Sequence, residues 1–193
     1  MKKNNITIVN LGNNHIKDHG SEGIESTKEA LAKEGINFFG EPSQSGTASS
    51  LITEINGVEI ALVSFNEWFG KKSAVIDSIK TLSRNYPVVV YTHWGDEYAS
   101  TTERVKTYAH EFVDAGADLV VGSHPHIVQE NEIYNNVSIY YSLGNFIFDQ
   151  YWNESVRTGL ALEIQVKDKE IVSIIPHILE LKKDRQTCFV ENS

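Results

Sequence analysis

Four apolar, β-branched segments of this chain each run into a short loop that carries Asn or His, and that recurrence narrows the folds open to it. Residues 6–11 lead to Gly12-Asn13-Asn14-His15, and residues 87–91 lead to His93. Residues 118–121 lead to Gly122-Ser123-His124-Pro125-His126, and residues 137–142 to Gly144-Asn145. Short, continuous apolar runs are consistent with buried strands. In open α/β sheets, ligands gather outside the carboxyl ends of the strands.

Helical patterns separate these segments. Residues 21–34 place Ile24, Thr27, Ala30 and Leu31 at helical spacing before Gly35, and residues 101–115 stop at Gly116. Residues 73–85 read as a third helix, 36–39 as a short strand, and the Ser-, Gly- and Pro-rich stretch 40–50 as a loop. Asn56-Gly57, between strands 51–55 and 58–65, is the strongest two-residue hairpin signal in the chain. A late hairpin joins 159–166 to 171–179 through Lys167-Asp168-Lys169-Glu170. The expected architecture is a single α/β domain over 1–181, a layered sandwich of mixed sheets flanked by helices, with a tail at 182–193 of unassigned structure.

The 193 residues suffice for one sizeable core. Acidic residues outnumber basic ones by 26 to 17, for a net charge of −9, and no Lys/Arg cluster offsets that field, so nucleic acid is not an expected partner. The single cysteine, Cys188, rules out a disulfide within the chain. The apolar run 6–11 is too short for a secretory leader and no stretch reaches membrane-span length, so the expected location of the chain as given is the cytoplasm.

His124-Pro125-His126 is the strongest local chemical signal. Two imidazoles two residues apart can face one ion if the backbone is extended, and Pro125 biases His124 toward that conformation; the alternative is a loop with two exposed histidines. His93 ends its own strand before Trp94-Gly95-Asp96-Glu97, and reads either as a ligand or as a half-buried, hydrogen-bonded histidine. Asp96 and Glu97 read equally as ligands, orienting groups or solvated carboxylates. The amide of Asn14 can ligate a cation and His15 can protonate a leaving group, although Asn13-Asn14 also suits a plain turn. Asp18 is a helix cap, a turn residue or the partner that orients His15. His110, in a predicted helix, and His177, in a late strand, read as structural.

Taken in order, these stretches resemble the poly-γ-glutamate capsule-synthesis (CapA-like) family. Residues 10–15 with Asp18 and Gly20 are similar to its L-A-N-N-H-x-x-D-x-G motif, and 93–98 to its H-W-G-x-E-Y. Residues 116–126 are similar to G-A-D-x-V-x-G-x-H-P-H, and 141–149 to Y-S-L-G-N-F-x-F-D. Each motif alone is modest; four in the family order are specific.

The resemblance implies a metallophosphatase-like fold and a metal-dependent hydrolase acting on a phosphoester or a capsule polymer such as poly-γ-glutamate. By position, Asn14, His93 and His124 would hold one divalent metal (Mn, Zn or Fe) and His126 a second. His15 would donate a proton, while Asp18, Glu97, Asn145 and Asp149 would touch substrate or support the site. The family pattern opens with acidic segments, Gly-Asp and Asn-Leu-Glu, that stand for a terminal and a bridging ligand, and this sequence begins after both. An N-terminally truncated domain is therefore expected, holding one ion rather than two because close cations need anionic ligands. An unpaired sheet edge would invite a homodimer or a partner supplying the missing strands. A truncated member would work outside the cell or at its envelope. The rival expectation is a non-catalytic polymer-binding or assembly protein with an incomplete metal site.

Overall fold

The structure, a computed structural model, describes residues 1–42 and 49–190. Its centre is a six-stranded sheet built from β3 (Ser50–Ile55), β4 (Val58–Asn66), β5 (Val88–His93), β6 (Leu119–Ser123), β7 (Asn131–Tyr134) and β8 (Val137–Tyr140). The order across it is β3-β4-β5-β6-β8-β7. The four inner strands run parallel, and the two edges are antiparallel hairpin partners. Parallel neighbours place their carboxyl ends on one side of the sheet, and that side carries the site.

Helices α2 (Lys72–Leu82) and α3 (Glu103–Asp114) cover one face of this sheet. Val75 and Ile79 of α2, with Val105, Ala109 and Phe112 of α3, meet Val63, Phe65, Val88, Val90 and Val120 in one buried cluster. Full burial of such side chains contributes about 1.5–3 kcal/mol each, which is why the 3.6-residue spacing in the helices identified them. The Thr102 side chain accepts from Val105 N and caps α3.

The opposite face packs on a three-stranded antiparallel sheet of β9 (Thr158–Lys167), β10 (Glu170–Leu181) and β11 (Thr187–Phe189), in the order β11-β10-β9. Leu160, Leu162, Ile171 and Ile174 lie there against Val89, Leu119, Val121 and Tyr140. The result is the layered, mixed α/β sandwich expected from sequence. Residues 182–190, left unassigned from sequence, contribute β11. Short α4 (Glu154–Arg157), capped by Asn153, and the edge strand β7 also carried no periodicity long enough to read.

A smaller unit holds the first loop. β1 (Ile8–Asn10) pairs in parallel with β2 (Asn37–Phe39), and α1 (Gly20–Lys33) connects them. Leu11, Leu31 and Ile36 form its core. β1 is half-buried rather than buried as its composition suggested, since β2 is its only strand neighbour among the described residues. Of the expected loop 40–50, residues 43–48 lie outside the described residues.

Candidate metal centre

Sheet register lines up the ends of three parallel strands. Asn66 of β4 stands beside His93 of β5, and His93 beside Ser123 of β6. The Ser123 hydroxyl donates to the Thr92 carbonyl at 2.8 Å, so its oxygen faces His93 Nδ1, 3.1 Å away, as an acceptor. Nδ1 of His93 therefore carries the proton, and Nε2 presents a lone pair. That nitrogen lies 3.0 Å from Asn14 Oδ1, which is also an acceptor. The pair repels unless the amide is turned or a cation lies between them. Burial, reinforced by the neighbouring imidazoles of His124, His126 and His15, pushes the His93 pKa down to about 3, so the ring is neutral and able to ligate.

His124 and His126 reach the same place by a route the sequence did not suggest. The expected extended backbone is absent: φ is 101° at His124 and 61° at His126. A positive φ at a non-glycine residue costs on the order of 1–3 kcal/mol and persists where the surroundings over-determine it. Pro125, expected to extend the chain, is instead the middle of a tight reversal tied to the neighbouring loop by Tyr98 N donating to the Pro125 carbonyl at 2.9 Å. Among the described residues, ligand atoms of Glu97, His124 and His126 all lie within 4.8 Å of one another. Two imidazoles and a carboxylate are a donor set suited to Zn, Mn or Fe. Burial lowers the His124 pKa, opposed by the Glu97 carboxylate. His93 adjoins this group, its ring centroid 4.8 Å from that of His124.

Asn145 supports the triad rather than joining it. Its Nδ2 donates to the Val156 carbonyl at 2.9 Å and to Gln150 Oε1 at 3.2 Å, which leaves Oδ1 to accept from His126 Nδ1 at 2.8 Å. Nε2 of His126 is then the free lone pair. Such partners orient a metal-binding imidazole and fix its tautomer.

The loop after β1 is built from local hydrogen bonds. Asn13 Oδ1 accepts from His15 N, an Asx turn, and Asn66 Nδ2 donates to the Asn13 carbonyl at 2.7 Å. His15 Nδ1 pairs with Asp18 Oδ2 at 2.8 Å, and His15 is exposed. The cap of α1 is His19, so Asp18 is the partner of His15 and not a helix cap. Asp149 is exposed and lines a surface cleft with Leu181, Arg185 and Thr187, next to Phe148, whose ring centroid lies 4.8 Å from that of His126. His110 pairs with Glu132 and stacks on Tyr134, and His177 pairs with Glu163; both are structural.

Asn66, Glu67 and Trp68 were missed. Glu67 Oε2 accepts from Gly95 N at 2.9 Å, and Trp68 sits 4.5 Å, ring to ring, from His124. The signal was available, because Phe65-Asn66-Glu67-Trp68 repeats the pattern of an apolar strand ending in Asn.

Comparison with known proteins identifies the family. The family described as "Bacterial capsule synthesis protein PGA_cap" matches residues 1–150. The chain belongs to this capsule-synthesis family. It is 35% identical over 179 residues to the PGA biosynthesis protein CapA of Bacillus subtilis, covering 83% of this chain and 47% of that protein. It is 31% identical over 200 residues to the capsule biosynthesis protein CapA of Bacillus anthracis, covering 91% and 48%. A probable polyglutamine synthesis accessory protein of Mycobacterium tuberculosis is 29% identical over 187 residues, covering 80% and 49%. This capsule-synthesis chain thus spans about half the length of the curated relatives it matches. Among the described residues, no helix is long and apolar enough to cross a membrane.

Proposed function

We propose that this chain forms the metal-holding part of a hydrolase that acts on a phosphoester or on a capsule polymer such as poly-γ-glutamate. The convergence of Glu97, His124 and His126, with the lone pairs of His93 Nε2 and Asn14 Oδ1 set beside them, carries the reading. One ion suits the site better than two, because Glu97 is the single carboxylate in the cluster and paired cations need more negative charge. An ion held by these residues would polarise the scissile linkage and lower the pKa of a water.

The chain's own groups have separate tasks. Asp18 holds a proton on His15 Nδ1, so Nε2 is the atom that would take up a further proton and pass it to the leaving group. Ser123 and Asn145 hold His93 and His126 in the tautomers that present lone pairs. Trp68 lies against His93 and His124, which limits water around those rings. The polymer is inferred from the names of the relatives. A second reading, a polymer-binding or assembly protein, is favoured by the shortage of carboxylates in the cluster.

Metal content and calorimetric titration of the purified protein with Mn or Zn test the proposal, together with hydrolysis of an aryl phosphate and of poly-γ-glutamate. The expected result is about one bound ion and metal-dependent turnover that falls at least ~100-fold in His124→Ala. Tight polymer binding with neither ion binding nor turnover would establish the assembly protein instead.

A further inference from the structure

Gln150 lies five residues beyond Asn145, is buried, and belongs to none of the motifs that point to the site. Its two amide atoms face opposite ways. Nε2 donates to the Tyr98 hydroxyl at 2.7 Å, and Oε1 accepts from Asn145 Nδ2 at 3.2 Å. Each bond leads to one donor of the metal triad. Tyr98 follows Glu97 directly, holds φ at 58°, and stacks on the His126 ring at 5.7 Å with 25° between planes. Asn145 bonds His126 Nδ1. The four side chains Tyr98, Gln150, Asn145 and His126 close into one ring of contacts.

We infer that Gln150 is a positioning residue that sets the tautomer of His126 and the placement of Glu97 together. Two acceptors together fix the Asn145 amide: the Val156 carbonyl, which cannot donate, takes one N–H, and Gln150 Oε1, whose Nε2 is held on the Tyr98 hydroxyl, takes the other. Asn145 Oδ1 is left as an acceptor facing His126. Turning the Asn145 amide over would set its oxygen against both the Val156 carbonyl and Gln150 Oε1. With Gln150 replaced by an apolar residue, one of the two constraints on that amide is lost. Tyr98 loses its side-chain hydrogen bond in the same step, and with only its backbone bond to the Pro125 carbonyl and the His126 stack left, the hold on Glu97 loosens.

The inference rests on the metal reading for its ion-binding consequence and not for its tautomer consequence, so the two can fail separately. Long-range proton–nitrogen spectra of the imidazoles, in chelator at pH 8, report which nitrogen of His126 carries the proton. A single Nδ1–H form is expected in the wild type, and a mixture of both tautomers in Gln150→Leu. Zn or Mn affinity should fall about 10–100-fold in that variant, the usual cost of losing a group that supports a ligand. Gln150→Glu should restore both readouts, because a carboxylate accepts from Asn145 and from the Tyr98 hydroxyl at once. A folded Gln150→Leu protein with one His126 tautomer and unchanged affinity would overturn the inference. If Gln150→Leu does not fold, Tyr98→Phe decides: it keeps the stacked ring, and unchanged affinity there would equally overturn it. A wild type that binds no ion, while Gln150→Leu still mixes the tautomers, would sink the hydrolase and leave Gln150 its role.

Discussion

At Gly122 the backbone of β6 comes directly against the Tyr141 carbonyl, and the Trp94 indole, whose N–H donates to that carbonyl at 2.9 Å, fills the remaining side. A Cβ there would land on backbone, which cannot swing aside. Gly122→Ala is expected to cost about 3 kcal/mol, since overpacking of this kind typically costs 1–3 and occasionally more. Urea unfolding measures it, and a midpoint shift worth under about 0.5 kcal/mol would mean the strands separate easily. His124 lies two residues on, so the same variant should also weaken ion binding. The glycine was visible in the sequence as part of the loop signal, but its reason was not. Only the arrival of Tyr141 and Trp94 from distant segments makes a methyl group intolerable.

Among the elements, β7 shows why some structure escaped the sequence. Asn131–Tyr134 alternates exposed and half-buried residues at the sheet edge, and four residues with two charges or amides leave no apolar run to read. Its turn, Asn135-Asn136, with φ of 48° and 64°, was the available cue. The strand matters because it carries Glu132, which takes a 2.5 Å hydrogen bond from the buried Tyr141 hydroxyl and pairs with His110 of α3. The Tyr141 hydroxyl, then His110, holds the Glu132 carboxyl below its usual range. A depressed carboxylate pKa gives stability that is complete above the unfolded value and fades as pH falls through the folded one. Tyr141→Phe should therefore cost about 1 kcal/mol at neutral pH, modest because Glu132 is partly exposed, and the gap should narrow below about pH 4. Denaturant melts across pH 3–7 check it; a gap constant with pH would assign the loss to packing alone. The helices and the two hairpins, by contrast, were legible because long periodicity and Asn56-Gly57 are local properties.

For the whole molecule, the two small sheets leave strands with one neighbour each, β1 among them within the described residues. Such an edge offers a second copy a place to pair, while a net charge of −9 opposes that approach. Self-association should thus increase with salt, and light scattering at raised protein concentration in about 0.05 and 0.5 M salt tests it. A monomer at both would remove the dimer expected from sequence. By itself the sequence determined the layered α/β class, the strands that end in Asn or His, and the family, because apolar period and residue type are written locally. It did not determine that His124 and His126 turn through positive φ, or that the Glu97 carboxylate comes within 4.8 Å of both their rings' ligand atoms. Those depend on where side chains from segments tens of residues apart come to rest once the sheet is assembled, and only the tertiary structure decides that.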